Sequence, residues 1–222
     1  MGPRREPPLG YGAGEPGSCR DDPDPTFRTA AGRRLVMVHI ERRALTDLER
    51  TRCQEVALER HTRNKGRGLK SHRKFDGLSD YDIDLIGFTG EYVVRQLLGL
   101  GGFEHFDFDG PDKTGDIRLP WGEWIEVKTT TRPGYRFPIE EWDWESLFRA
   151  EYGALVWPDD TSGAYAVVGW CTREEFRLYK KWHDQTTTPA VPSPCWLMPW
   201  QKFHPLREMR ERVLKFQEPS LF

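Results

Sequence analysis

Residues 111–130 read PDKTGDIRLPWGEWIEVKTT, and the fold turns on how this stretch doubles back on itself. In WIEVKTT a period of two puts Trp124, Glu126 and Lys128 on one face and Ile125 and Val127 on the other. In GDIRL, Asp116 and Arg118 share a face, and Ile117 and Leu119 share the opposite one. The link Pro120-Trp121-Gly122 suits a three-residue hairpin with glycine in the left-handed position. That register sets Leu119 opposite Glu123 and Asp116 opposite Glu126. A slip of one residue would part the two acids and scramble the apolar face.

Two carboxylates facing each other repel unless positive charge lies between them. Lys128, two residues along the same face as Glu126, supplies one charge, and a divalent cation would supply a larger one. Mg²⁺, with Mn²⁺ as substitute, suits one or two carboxylates completed by water and phosphate. Such an ion polarises a phosphoryl group and activates water. A nearby lysine orients that water or stabilises developing charge. An ordinary surface ion pair, worth roughly 0–1 kcal/mol, accounts for Glu126 and Lys128 but leaves Asp116 unpaired.

Outward from the hairpin, a helix is expected from about Asp82 to Leu98, stopped by Gly99, Gly101 and Gly102. Its apolar stripe is Ile83, Ile86, Val93 or Val94, and Leu97. Earlier, RLVMVHI (Arg34–Ile40) reads as a short strand, and Thr46 with Glu49 as a capping box opening a helix to about Thr62. Strands are expected at 103–108, 115–119, 123–130 and 135–139, then a helix over about 140–150. ALVWP and AYAVVGW read as two more strands, followed by a capping box at Thr172 and Glu175. Residues 184–204 read as an extended, proline-rich wrap, and Pro205 starts a last helix with Leu206, Met209, Val213 and Phe216 on one face. This order describes an α/β or α+β domain, a central mixed sheet flanked by helices. Its parts are a disordered tail (1–30), an N-terminal strand, helix and basic loop (31–81), a core (82–183), and a wrap with a final helix (184–222).

Charge is distributed unevenly although the net value is only −2. Residues 60–74 hold seven Lys or Arg and no acid, whereas residues 76–160 hold nineteen acids against seven bases. A basic segment ahead of an acidic centre suits a protein that grips a polyanion while concentrating cations. Arg60, Arg63, Lys65, Arg67, Lys70, Arg73 and Lys74 are therefore expected to track a phosphate backbone. The four cysteines form no CxxC pair, which disfavours a zinc or disulfide framework. No run approaches the roughly 20 apolar residues of a membrane span, and MGPRREPPLG lacks the apolar stretch of a secretory signal. A cytoplasmic location is expected.

The arrangement resembles the PD-(D/E)XK nuclease superfamily, whose core is an acid-bearing helix followed by a hairpin carrying D…(D/E)xK. Asp116 matches the first acid, Glu126-Val127-Lys128 the ExK element, and Glu91 in GFTGEYVVRQLLGL the helix acid. The chain also looks like small nucleases of that group encoded by phages and mobile elements, in which a GE-bearing helix precedes GDI and IEVKTT. Gly115 precedes Asp116, and the literal Pro-Asp pair is Pro111-Asp112. The resemblance implies a restriction-endonuclease-like core, with Glu91, Asp116, Glu126 and Lys128 catalytic. It also implies a metal on Asp116, Glu126 and the Val127 backbone carbonyl, with Glu91 as a further candidate ligand. DNA is the expected partner, with RNA left open, and the oligomeric state is open, a homodimer included. The competing reading is a silent copy of the fold that binds nucleic acid or serves assembly.

Overall fold

The computed structural model describes residues 40–66, 78–103, 115–131, 137–140, 149–159, 163–183 and 195–218. In chain order these form β1 (Glu41–Ala44), α1 (Asp47–Gly66), α2 (Asp80–Leu97), β2 (Ile117–Arg118), β3 (Trp124–Thr129) and β4 (Phe137–Glu140). Then come β5 (Tyr152–Asp159), β6 (Ala164–Thr172), α3 (Arg173–Tyr179), β7 (Lys181–His183), β8 (Cys195–Met198) and α4 (Leu206–Gln217).

Side chains just ahead of the helices start them. The Thr46 backbone N–H donates to Glu49 at 2.8 Å, and the Glu49 N–H donates back to the Thr46 hydroxyl at 3.2 Å. Thr172 and Glu175 repeat the exchange at α3, at 2.9 and 3.1 Å. A third box, Ser79 with Asp82, opens α2 two residues earlier than expected. Each satisfies N–H groups that the first helical turn leaves unpaired. Past α2, Gly99 and Gly101 take positive φ values of 72° and 86°, ending the helix as their spacing predicts.

Five strands pair in the order β1-β6-β5-β3-β2, with β3 and β5 parallel and the other neighbours antiparallel. The middle strands, YGALVWPD and AYAVVGWCT, are buried along most of their length, as strands covered on both faces must be. On one face Ile125, Val127 and Val156 pack with Cys53 and Val56 of α1, Phe88 and Val93 of α2, and Leu206, Met209 and Val213 of α4. On the other, Leu155, Trp157 and Val168 pack with Phe176 of α3 and with Phe137, Ile139 and Met198. The last three belong to a second, three-stranded sheet of order β4-β8-β7. The architecture is thus mixed α/β, a mixed sheet with helices packed against it.

Two glycines allow close approach. A Cβ on Gly90 would stand 1.8 Å from Thr129 Oγ1, so only glycine lets α2 lie this near β3. A Cβ on Gly153 would stand 2.7 Å from Phe137 Cζ, so Gly153 leaves room for that ring over β5.

Several expectations change. Helix α1 runs to Gly66 rather than Thr62, because Arg63 and Lys65 suit the negative end of the helix dipole and Arg63 pairs with Glu59 at 2.7 Å. Arg60, Arg63 and Lys65 therefore stand on a helix, not a loop. The strand at 115–119 shortens to Ile117–Arg118. Glu140, expected to open a helix, ends β4 instead, since Phe137–Glu140 pairs with β8. Residues 195–198, expected in an unpaired wrap, form the middle strand of the small sheet. Phe216 is 56% exposed, one turn past the buried part of α4. Residues 1–39, the expected strand 103–108 beyond Phe103, residues 141–148 and residues 184–194 lie outside the described residues.

Candidate active site

Along Ile117–Arg118 the hairpin has the predicted register, Ile117 pairing with Ile125 and Arg118 with Trp124. The paired register ends there, short of the expected pairing of Asp116 with Glu126, and the Asp116 N–H donates instead to the Ile125 carbonyl at 2.9 Å. The turn closes through Leu119 N–H to the Glu123 carbonyl at 2.7 Å and Gly122 N–H to the Leu119 carbonyl at 2.9 Å. Gly122 has φ +96°, the left-handed conformation the turn demands. Burial alternates as the period of two requires: Ile117, Leu119, Ile125 and Val127 are buried, whereas Arg118 is exposed.

At Asp116 the ladder ends and the side chain takes over. Its Oδ2 accepts the Val127 N–H at 2.7 Å, a donor that a longer strand would have engaged through its backbone. A residue's N–H and C=O leave a strand on the same side, so the Val127 carbonyl faces the edge where Asp116 sits. The Asp116 carboxylate is thereby fixed against the strand that carries Glu126.

Lys128 Nζ donates to Glu126 Oε1 at 2.6 Å. Their side chains are only 12% and 15% exposed, so this pair is less screened than the surface bridge it resembles on paper. Both stand on the face of β3 opposite α2, beside Gly153 and Leu155 of β5.

Glu91 lies elsewhere. It projects from α2, 9% exposed, and its Oε1 accepts from Arg60 Nη1 of α1 at 2.9 Å. One α2 face also carries Asp84, whose Oδ2 is 3.1 Å from His61 Nδ1. The Glu91 charge strengthens the hold of the Arg60 guanidinium on its proton, burial opposes this, and Asp116 and then Asp84 add to it; the net direction is upward. Arg60 therefore lies within electrostatic reach of Asp116. The structure brings together Glu126 with Lys128, Asp116 with the Val127 backbone, and Glu91 with Arg60.

The chain matches no family model, no curated protein and no solved structure.

Of the seven basic residues expected on a phosphate backbone, Arg60 is turned inward to Glu91 and Arg63 is bonded to Glu59. Lys65 stands in the last turn of α1, and Arg67, Lys70, Arg73 and Lys74 lie outside the described residues. The Arg60–Glu91 pair escapes a reading that treats 60–74 as one run. A signal for it exists: Cys53, Val56 and Ala57 are the buried positions of α1, and Arg60 continues that stripe at helical spacing.

A second group was also missed. Glu123 Oε2 accepts from the Tyr152 hydroxyl at 2.6 Å and from Trp121 Nε1. Arg212 of α4 lies over the rings of Trp121, Tyr152 and Trp170, at 5.4, 5.5 and 5.9 Å. Trp121, at the hairpin tip, is thus packed against α4. Cys53, Cys171 and Cys195 are buried, in keeping with structural thiols, and burial pushes the Cys53 thiol up to about 11.

Proposed function

We propose that this chain is a metal-dependent nuclease with a restriction-endonuclease-like core, hydrolysing phosphodiester bonds of DNA with Mg²⁺, or Mn²⁺ in its place. The observation that supports the reading is the hairpin, in which Asp116 Oδ2 accepts the Val127 N–H at 2.7 Å and Lys128 Nζ pairs with Glu126 at 2.6 Å on the same strand. A plain surface hairpin has no need of two acids carried on adjacent strands, since nearby carboxylates are unfavourable without a cation.

Among the described residues no three His, Cys, Asp or Glu side chains gather into a metal-holding group. The donors at hand are instead the Asp116 and Glu126 carboxylates and the Val127 carbonyl. These are hard oxygens, and two carboxylates with water and substrate phosphate suit Mg²⁺. The set fits the ion. When bound, the ion would polarise the phosphoryl group and lower the pKa of a coordinated water.

The chain's own residues have separable tasks. Asp116, locked by the Val127 N–H, presents its carboxylate without rotamer freedom. Glu126 holds Lys128, so the ammonium stays near the carboxylates instead of swinging into solvent. Lys128 then stabilises charge that grows on the phosphoryl oxygens in the transition state, or orients the attacking water.

The test is a plasmid-nicking assay with purified protein in Mg²⁺, Mn²⁺ and EDTA, extended to linear, single-stranded, branched and RNA substrates. Nicking that requires the metal supports the reading. Binding without cleavage of any substrate replaces it with a silent nucleic-acid-binding fold.

A further inference from the structure

We propose that the rim of the small sheet is a platform for single-stranded nucleic acid, whose bases stack on Trp182 and Trp196 while Lys180 and Lys202 meet its phosphates. The inference goes beyond the nuclease reading and does not rest on it.

Strand pairing brings the two tryptophans together. Trp182 of β7 lies directly opposite Trp196 of β8, which lies opposite Ile139 of β4. Directly opposed residues share a face, so the three side chains form one row across the sheet. The row runs outward from the core: Ile139 is 2% exposed, whereas Trp196 and Trp182 are only half-buried. The two indole centroids stand 5.1 Å apart, edge to face at 61°. Strand β7 is the edge of the small sheet, so no strand of that sheet lies beyond Trp182.

Cations are set among these rings. Lys180 Nζ lies 4.2 Å from the centre of the Trp196 ring, and Lys202 Nζ lies 4.6 Å from the centre of the Tyr179 ring. Tyr179 and Trp196 both pack against the second core and stay partly exposed. Tyr179 and Lys180 are neighbours in the chain, so the rings and both ammonium groups belong to one surface. Lys202 is exposed and makes no ion pair with a carboxylate among the described residues. A carboxylate would neutralise an ammonium, whereas an aromatic ring attracts it and leaves its charge whole.

This pairing of chemistries suits one partner better than others. A single strand offers phosphates to the cations and flat base faces to the rings, and stacking is tolerant of sequence. A duplex keeps its base faces inside the stack, so it would use the charges alone. An acidic polypeptide would also use the charges, but it has no need of two tryptophans at the sheet edge.

The experiment measures binding of a short labelled oligo(dT), and of a duplex of equal length, in EDTA over a range of salt. It compares wild type with Trp182→Phe, Trp182→Leu and the double variant Lys180→Gln/Lys202→Gln, each with a melting curve. Wild type should bind oligo(dT), and Trp182→Leu should weaken that binding about 10- to 100-fold, the scale of one lost stacking contact. Trp182→Phe, which keeps an aromatic face, should stay within about 3-fold of wild type. Duplex affinity should be the same for all three. The double lysine variant should flatten the slope of log affinity against log salt by about 0.7 per lost contact. Should Trp182→Leu fail to fold, the lysine variant still decides. No oligo(dT) binding by wild type, equal binding by folded Trp182→Leu and Trp182→Phe, or an unchanged salt slope would overturn the platform. So would displacement of oligo(dT) by polyglutamate with no effect of Trp182→Leu, which would make the rim a surface for acidic protein segments. Because binding is read in EDTA, a loss of plasmid nicking bears on the nuclease reading and not on this one.

Discussion

Glu49 shows how much one side chain can carry in this fold. It accepts hydrogen bonds from the Thr46 backbone at 2.8 Å, the Thr46 hydroxyl at 3.0 Å and the Tyr92 hydroxyl at 2.7 Å, and it pairs with Arg43. Burial alone would raise its pKa, but these donors outweigh it and hold the carboxyl at about 2, against an ordinary 4.5. A folded pKa below the unfolded one stabilises the protein above about pH 4.5, and that contribution is lost as pH falls toward 2. At neutral pH it amounts to about 3 kcal/mol. Urea midpoints at pH 7, 4 and 3 should therefore drop more steeply for wild type than for Glu49→Gln. Parallel declines would show that the network contributes nothing to acid stability. Burial, then the Glu49 carboxylate, raise the Tyr92 hydroxyl to about 12 and keep it protonated far into base.

Between elements, the tightest constraint is the Gly90 contact with β3. Gly90→Ala forces a methyl group to within 1.8 Å of Thr129 Oγ1, so α2 or the threonine must move. The expected cost is about 1–3 kcal/mol, typical of overpacking. Adding Thr129→Ala should return much of it, and a double-mutant cycle on urea melts reads the coupling. Additive costs would mean that the two residues do not meet. At the other end of the sheet, Arg212→Ala removes a cation lying over Trp121, Tyr152 and Trp170. It should destabilise by about 1–2 kcal/mol, with Arg212→Lys intermediate, and a melt within a few tenths of wild type would count against the contact. Elements of these two kinds differed in how far the sequence revealed them. The pairing of Ile117 with Ile125 and of Arg118 with Trp124 was legible because turn chemistry and apolar alternation specify one register. The capping boxes were legible because they are local. Strand β8 was not, since its partner β4 is distant in sequence and only pairing distinguishes CWLM from an extended wrap. Arg60 was not, because its charge belongs to a run while its position belongs to a buried stripe.

Over the whole molecule, the proposed activity makes demands on charge as well as geometry. Residues 67–74 hold Arg67, Lys70, Arg73 and Lys74, just beyond the end of α1. Neutralising Arg67, Lys70 and Arg73 together should weaken duplex binding irrespective of sequence. It should also flatten the slope of log affinity against log salt by about 0.9 for each phosphate no longer neutralised, and an unaltered slope would make the run a solvated segment. No described helix is long and apolar enough to cross a membrane. The most direct measurement is the rate of plasmid nicking in millimolar Mg²⁺ by wild type, Lys128→Ala, Asp116→Asn and Asp112→Asn, each with a melting curve. The account predicts metal-dependent nicking by wild type and Asp112→Asn. Lys128→Ala and Asp116→Asn should be slower by at least about 100-fold, with melts that show an intact fold. Nicking at the wild-type rate by both Lys128→Ala and Asp116→Asn would contradict it.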